Sequence, residues 1–309
     1  MEGHGESKVA IVAAVIGNLA IAVIKFIAAA ITGSSAMISE GIHSLVDTGN
    51  GGLLLHGINQ AKKPADAEHQ FGHGKELYFW TLVVSVSIFG IGGGLSLYEG
   101  VAHIRHVAPE GISSNPMMNY IVLAIAAIIE GWSFSVAFRA FLKAKGQNSA
   151  LRYIREAKDP STYTVVLEDS AALLGLVFAF LGVFLGHVFQ NPYLDGVASI
   201  IIGLLLMAVA FVLAFETKGL LLGEGVGPVM LLDIRRRVES ESAVERAAEI
   251  LTMYMGPHDL VVNLGVCFRK GITIEQAHEA IHRIENNIQS VYPECTRVYI
   301  EAESFHNPA

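Results

Sequence analysis

Glu40, His43, Asp47 and Asn50 interrupt an otherwise apolar stretch at steps of three, four and three residues. That spacing places all four on one face of a helix. Further along, Glu168 and Asp169 stand side by side in the apolar run Val166–Ala172. An ionisable group at a bilayer centre costs roughly 2.5–3.5 kcal/mol on insertion scales, so such groups are functional candidates by default. Histidine and carboxylates on facing helices are the means by which a helical bundle holds a divalent metal. Imidazole with carboxylate suits Zn2+ at tetrahedral geometry, and Fe2+, Mn2+, Co2+ and Ni2+ also fit such donors. The bland alternative is that these groups only hydrogen-bond between helices, which applies most to Glu40 and Asn50 taken singly. A second cluster, Asp66, His69 and His73, offers two imidazoles and a carboxylate within eight residues of a polar loop. Lys25 sits alone in the first apolar segment, where it can neutralise a carboxylate of the site or snorkel to the outer interface. Glu99, Glu130 and Asp195 are expected to be structural hydrogen-bonding groups near helix ends.

These residues must be positioned by long apolar elements. The 309-residue chain is 52% hydrophobic and only 16% charged, with a mean hydropathy of +0.47. Soluble domains average about 25% charged residues. The deficit excludes a disordered chain, a coiled coil and an ordinary soluble enzyme. Six apolar segments fall at roughly 8–31, 35–60, 76–102, 116–142, 161–187 and 193–218. Each exceeds the roughly 20 residues needed to span a bilayer. The first segment follows no basic leader or cleavage site and is expected to stay as an uncleaved helix. The glycine run Gly90–Gly94 has the GxxxG spacing of close helix packing. Gly72-His73-Gly74 lacks the strand and helix context of a dinucleotide site.

Orientation follows from the loops, because cytoplasmic connections carry excess Lys and Arg. Lys62, Lys63, Lys75, Arg139, Lys143, Lys145, Arg152, Arg155 and Lys158 lie on one side, and Arg105 alone on the other. Both termini and the tail are therefore expected in the cytoplasm. Residues 1–218 form the expected membrane domain and residues 219–309 a soluble one. That tail reads as α-β-β-α-β: a helix at Val229–Glu241, strands at Ala248–Tyr254 and Leu260–Phe268, a helix capped by Thr273 running to about Ser290, and a strand at Val298–Ala302. Within Leu260–Phe268, Val261, Leu264 and Val266 are available to a core or to a partner. Net charge is −8, and the tail holds 13 Asp/Glu against 8 Lys/Arg. An acidic balance without a basic stripe excludes nucleic acid as a partner. Cys267 and Cys295 are too few for a disulfide framework and fit a reducing compartment. No HExxH motif occurs, and no Ser or Cys nucleophile sits beside a base, so enzymatic chemistry is not expected.

At His43, Asp47 and the His-Gln-Phe-Gly-His-Gly loop, the sequence resembles the cation diffusion facilitator family of divalent-metal/proton antiporters. The resemblance extends over nearly the whole chain and implies six spans with a small ferredoxin-like tail. It implies that the HxxxD pair His43 and Asp47 is the transport site, and that Asp66, His69 and His73 form a second, intracellular metal site. One departure is plain. The second HxxxD or DxxxD pair of most members falls here on Ser161 and Val165, which are poor ligands. The run Leu167-Glu168-Asp169 instead resembles the branch of the mitochondrial zinc transporter, and either carboxylate is open as the ligand. Family tails carry histidines where Gly265 and Glu301 stand, leaving His278, His282 and Glu303 as possible tail ligands. The resemblance implies a homodimer joined through the tail. The expected function is export of Zn2+, or a similar ion, in exchange for protons, across a membrane expected to be the bacterial inner membrane. A divalent-cation channel, or a transporter preferring Fe2+, Mn2+, Co2+ or Ni2+, is the alternative.

Overall fold

Helix α1 (Gly3–Thr32) ends where Gly33 adopts a φ of 70°. A residue without Cβ takes this left-handed conformation at no steric cost, and the Gly33 N–H donates back to the Ala29 carbonyl at 2.8 Å. The computed structural model describes residues 3–106 and 117–303, with side chains from Val15 onward. Helix α2 (Ser35–Ala61) follows at once. Its free N–H groups are met locally by the Ser34 hydroxyl, which accepts from Met37 N at 3.2 Å. They are also met from a distance by Asp195. That carboxylate accepts from the Ser34 hydroxyl at 2.8 Å, from Ala36 N at 3.3 Å and from Ser35 N. A negative group at a helix N-terminus also complements the macrodipole.

The third segment is two helices, α3 (Glu76–Ser87) and α4 (Gly94–His106), joined through a π-helical stretch at Ile88–Gly93. Helix α5 (Met117–Lys145) packs on α1 and on α7 (Pro160–Phe189), with the short α6 (Ala150–Glu156) between α5 and α7. Helix α8 (Tyr193–Leu222) is the last of this unit. Five segments are long and apolar enough to cross a membrane: Val15–Thr32 of α1, Glu76–His106, and helices α5, α7 and α8. Helix α2, about 40 Å long at 1.5 Å per residue, is the sixth. It has the length, but its polar stripe lowers its hydropathy below that of the others. Arg105 lies in the last turn of α4, and the rest of the connection to α5, residues 107–116, falls outside the described residues.

Small residues set the approach of α4 to α8. A Cβ on Gly100 would stand 2.6 Å from the Gly196 carbonyl, and one on Gly203 would stand 2.8 Å from Leu97 N. Backbones this close are the reason small residues line membrane-helix interfaces. The GxxxG pair itself is not the contact. Gly90 faces open space, while Gly93 lies against Gly203 and Met207. The π-helical stretch changes the rotation of the chain, so the ideal i,i+4 face does not carry through it.

The second unit comprises residues 60–78, 156–159 and the chain from Lys218 onward. Helix α9 (Pro228–Glu239) precedes strands β1 (Val244–Gly256) and β2 (Asp259–Phe268), which pair antiparallel across a tight turn. Helix α10 (Ile274–Val291) then leads to β3 (Cys295–Ala302), parallel to β2, giving the sheet order β1-β2-β3. The α-β-β-α-β order is as expected, with β1 beginning four residues earlier and β3 three residues earlier. The β1 extension contains bulges, which break the simple alternation that marks a strand in sequence. Thr273 caps α10 in a capping box with Gln276. Ile234, Val238, Leu260, Val262, Leu264, Val266, Ile284 and Ile288 form the core. Leu264 and Val266 thus face inward, whereas Val261, one residue out of phase, points to the opposite face. Cys267 and Cys295 are both free and buried, and burial pushes the Cys295 thiol up to about 12.

Gly100→Leu is expected to lower the melting temperature in detergent, with an overpacking cost of about 1–3 kcal/mol. Gly90→Ala, with nothing in its way, is expected to leave the melt unchanged.

Candidate metal centre

Helix α2 buries the predicted stripe. His43 and Asp47, one turn apart, approach to 3.4 Å between Nδ1 and Oδ1, with side chains 3% and 12% exposed. Among the described residues, the buried His43 Nε2 and Asp47 Oδ1 have no hydrogen-bond partner. Buried polar atoms are rarely left unmet. A neutral ring nitrogen and a carboxylate oxygen, both lone-pair donors, fit a cation.

Helix α7 contributes the adjacent carboxylates in different directions. Asn50 Nδ2 on α2 donates to Glu168 Oε1 at 3.0 Å, and Ser133 Oγ on α5 donates to Asp169 Oδ2 at 3.2 Å. Successive residues on a helix are rotated by about 100°, so one carboxylate of the pair turns to α2 and the other to α5. Glu168 is therefore the one tied to the helix that carries His43 and Asp47.

Lys25 pairs with a carboxylate of the stripe, one of the two uses expected of it, and Glu130 joins them in a cluster that sequence reading did not assemble. Lys25 is fully buried and donates to Glu40 Oε2 at 2.8 Å, Glu130 Oε1 at 2.8 Å and Ser44 Oγ at 2.9 Å. Lys25 does not snorkel, and Glu130 pairs in mid-helix rather than at a helix end. The available signal was charge: a lysine inside an apolar span requires a carboxylate partner from another span. Asp195, by contrast, acts at a helix end as expected, on α2.

The loop cluster is assembled as its spacing predicts. The ligand atoms of Asp66, His69 and His73 lie within 4.8 Å of one another. Among the described residues this is the only group of three His, Cys, Asp or Glu side chains to do so. Asp66 Oδ2 stands 3.0 Å from His73 Nε2, and Asp66 Oδ1 stands 3.4 Å from His69 Nδ1. The same carboxylate accepts from His69 N at 2.6 Å and Glu68 N at 3.0 Å, closing the loop on itself. The backbone N–H of His69, with the His73 ring, holds the Asp66 carboxyl down at about 2. Two imidazoles and a carboxylate with open positions suit a divalent ion. The loop is held against the tail. Gly72 takes a φ of 84°, and Gly74 packs so tightly on the β1 terminus that a Cβ would stand 2.9 Å from Gly256 Cα. Arg297 pairs with Asp259 at 3.2 Å and lies 5.3 Å over the Phe71 ring.

In the tail, His278 and His282 approach to 3.2 Å between Nε2 atoms on α10. Glu303 does not join them; its side chain lies against Gly265.

Two family models together cover this architecture. The cation efflux transmembrane domain matches residues 11–222, and the cation efflux protein cytoplasmic domain matches residues 228–305. The chain belongs to the cation efflux family. Its curated relatives include the human mitochondrial proton-coupled zinc antiporter SLC30A9, 35% identical over 255 residues, which are 82% of this chain and 44% of that protein. Metal tolerance protein C4 of Arabidopsis thaliana is 29% identical over 226 residues, 72% of this chain and 49% of that protein. The manganese efflux system protein MneP of Bacillus subtilis is 25% identical over 298 residues, 96% of each chain. The chain spans about half the length of the first two. Membership places it with integral-membrane transporters rather than with enzymes.

Zn2+ titrated into the purified protein at neutral pH is expected to show about one bound ion per chain fewer when His69→Ala and His73→Ala are combined, because two of three ligands are lost. Asp66 keeps its charge above about pH 2, since a depressed carboxyl pKa preserves the ionised form at every higher pH. Its protonation therefore takes no part in releasing a loop ion near neutrality, and a binding titration from pH 5 to 8 checks this.

Proposed function

We propose that the protein is a secondary transporter that exports a divalent metal ion, Zn2+ foremost, in exchange for protons. The reading rests on one observation: among the described residues, His43 Nε2 and Asp47 Oδ1 have no hydrogen-bond partner and are buried within a membrane helix. His43, Asp47 and Glu168 are the proposed transport ligands, with Asp169 held by Ser133 as a supporting carboxylate. The likeness to zinc/proton antiporters supports Zn2+ and protons, and the manganese efflux relative keeps Mn2+ within the range to be tested.

The physics of exchange is direct. Imidazole and carboxylate bind metal only when deprotonated, so loading displaces protons and protonation expels metal. A site open to a more acidic exterior releases its ion, and one open to the cytoplasm reloads. Alternating access requires the helices to rock about a fixed site near mid-membrane. Asp66, His69 and His73 form an auxiliary site in this scheme, where an ion can be held outside the apolar region.

The proposed orientation puts both termini and the tail in the cytoplasm of a bacterial cell, with the protein in the inner membrane. A homodimer is proposed through the tail. On the sheet face away from the core, Leu251, Met253 and Tyr299 are exposed beside Val261. Exposed apolar side chains grouped on one sheet face favour a second copy, and twofold closure is the commonest symmetry.

In proteoliposomes, Asp47→Ala is expected to abolish metal-driven proton flux while leaving the fold intact; full transport by that variant removes Asp47 from the site. Glu168→Gln is expected to lower transport tenfold or more, an effect of about 1.4 kcal/mol, and Asp169→Asn to lower it less. If both are silent, α7 supplies no ligand. A protein of unchanged mass, a dimer by light scattering in mild detergent with or without Zn2+, is expected. Spin labels on the two tails are expected to approach when Zn2+ is added.

A further inference from the structure

Lys25, Glu40 and Glu130 bring together helices α1, α2 and α5, and none of them belongs to the proposed metal ligands. The ammonium spends its three N–H donors on Glu40, Glu130 and Ser44. Lys25 and Glu40 are wholly shielded, and the Glu130 side chain is 9% exposed. One oxygen of each carboxylate, Glu40 Oε1 and Glu130 Oε2, remains buried with no hydrogen-bond partner among the described residues. Two carboxylates thus face one ammonium. With all three ionised the cluster carries a net charge of −1 in a dry interior, and an uncompensated buried charge is strongly unfavourable. One proton on either unpartnered oxygen makes the cluster neutral without disturbing the three lysine bonds.

The other charged groups nearby determine when that proton leaves. His43 and Asp47 lie on α2 beside Ser44, which Lys25 bonds, and Asp169 on α7 accepts from Ser133, one turn from Glu130 on α5. While the metal site is empty, no cation opposes a proton on the cluster. A divalent cation bound there raises the local potential and favours its loss.

We infer that the Lys25–Glu40–Glu130 cluster is a proton-binding site separate from the metal ligands. It holds one proton on its carboxylate pair when no metal is bound and gives that proton to water when metal loads. The cluster then passes from neutral to −1, against the +2 of the incoming ion. The coupling is reciprocal, so reprotonation of the cluster weakens metal binding. This inference rests on the metal-transport reading of the α2–α7 site and adds a proton that the metal ligands do not carry.

The test is calorimetric titration of Zn2+ into the purified full-length protein, in buffers of different ionisation enthalpy, which counts protons released per ion. Glu130→Gln keeps the acceptor for Lys25 and leaves one carboxylate for one ammonium. It is expected to bind the same number of Zn2+ ions and to release about one proton fewer per transported-site ion than wild type. Glu40→Gln is expected to show the same drop and serves if Glu130→Gln fails to fold. Unchanged proton release at unchanged Zn2+ stoichiometry would overturn the inference. So would loss of Zn2+ binding in both folded variants, which would make these residues ligands. Absence of Zn2+ from the α2–α7 site in the wild-type protein would instead defeat the transport reading itself.

Discussion

An ionised side chain in an apolar helix bundle must find a partner on another helix, and this requirement organises the membrane unit. Apolar contacts between helices are no better than contacts with lipid chains, so they choose neighbours weakly. Polar contacts choose strongly. Lys25 ties α1 to α2 and α5, Asn50 ties α2 to α7, Ser133 ties α5 to α7, and Asp195 ties α8 to the start of α2. Helix α2 takes part in three of these four links. Its rotation is thereby fixed, and the His43–Asp47 face is turned inward.

The same stripe divides into two kinds of group. Asn50 Nδ2 and Glu40 Oε2 hydrogen-bond groups on other helices, and Glu40 Oε1 is left for the proton inferred above. His43 and Asp47 keep a nitrogen and an oxygen in reserve. The reserve is held in place by the neighbouring interhelical hydrogen bonds of Lys25, Asn50 and Ser133. Pairing α2 through residues one turn to either side of the reserve pins it without occupying it. A site built this way can exchange its occupant without losing the contacts that define the bundle.

Outside the membrane segments a different force sets the structure. The tail is assembled by a hydrophobic core between two helices and one face of a three-stranded sheet. The loop from 60 to 78 belongs to this unit, held by Arg297 over Phe71 and by the glycine contact at Gly74 and Gly256. Its three candidate ligands are mutually close because Asp66 accepts from its own loop's backbone. That arrangement is local and needs no distant partner.

What is set within a few residues was legible from the sequence. Apolar length gave the membrane segments, since a span is fixed by bilayer thickness. The steps of three and four put His43 and Asp47 on one face, because helix geometry depends only on the backbone. Thr273 marked the start of α10, and the Asp66–His73 spacing closed its own loop. The partners of Lys25 lie 15 and 105 residues away, and no local pattern specifies them. Whether Glu168 or Asp169 turns toward α2 depends on the rotation of α7 against two neighbours. Which glycines meet α8 depends on the π-helical stretch, and which side of β2 faces the core depends on where the bulged β1 places its register. Each of these was decided by packing between elements distant in sequence, where side-chain charge and volume find their partners only once the helices and strands are assembled.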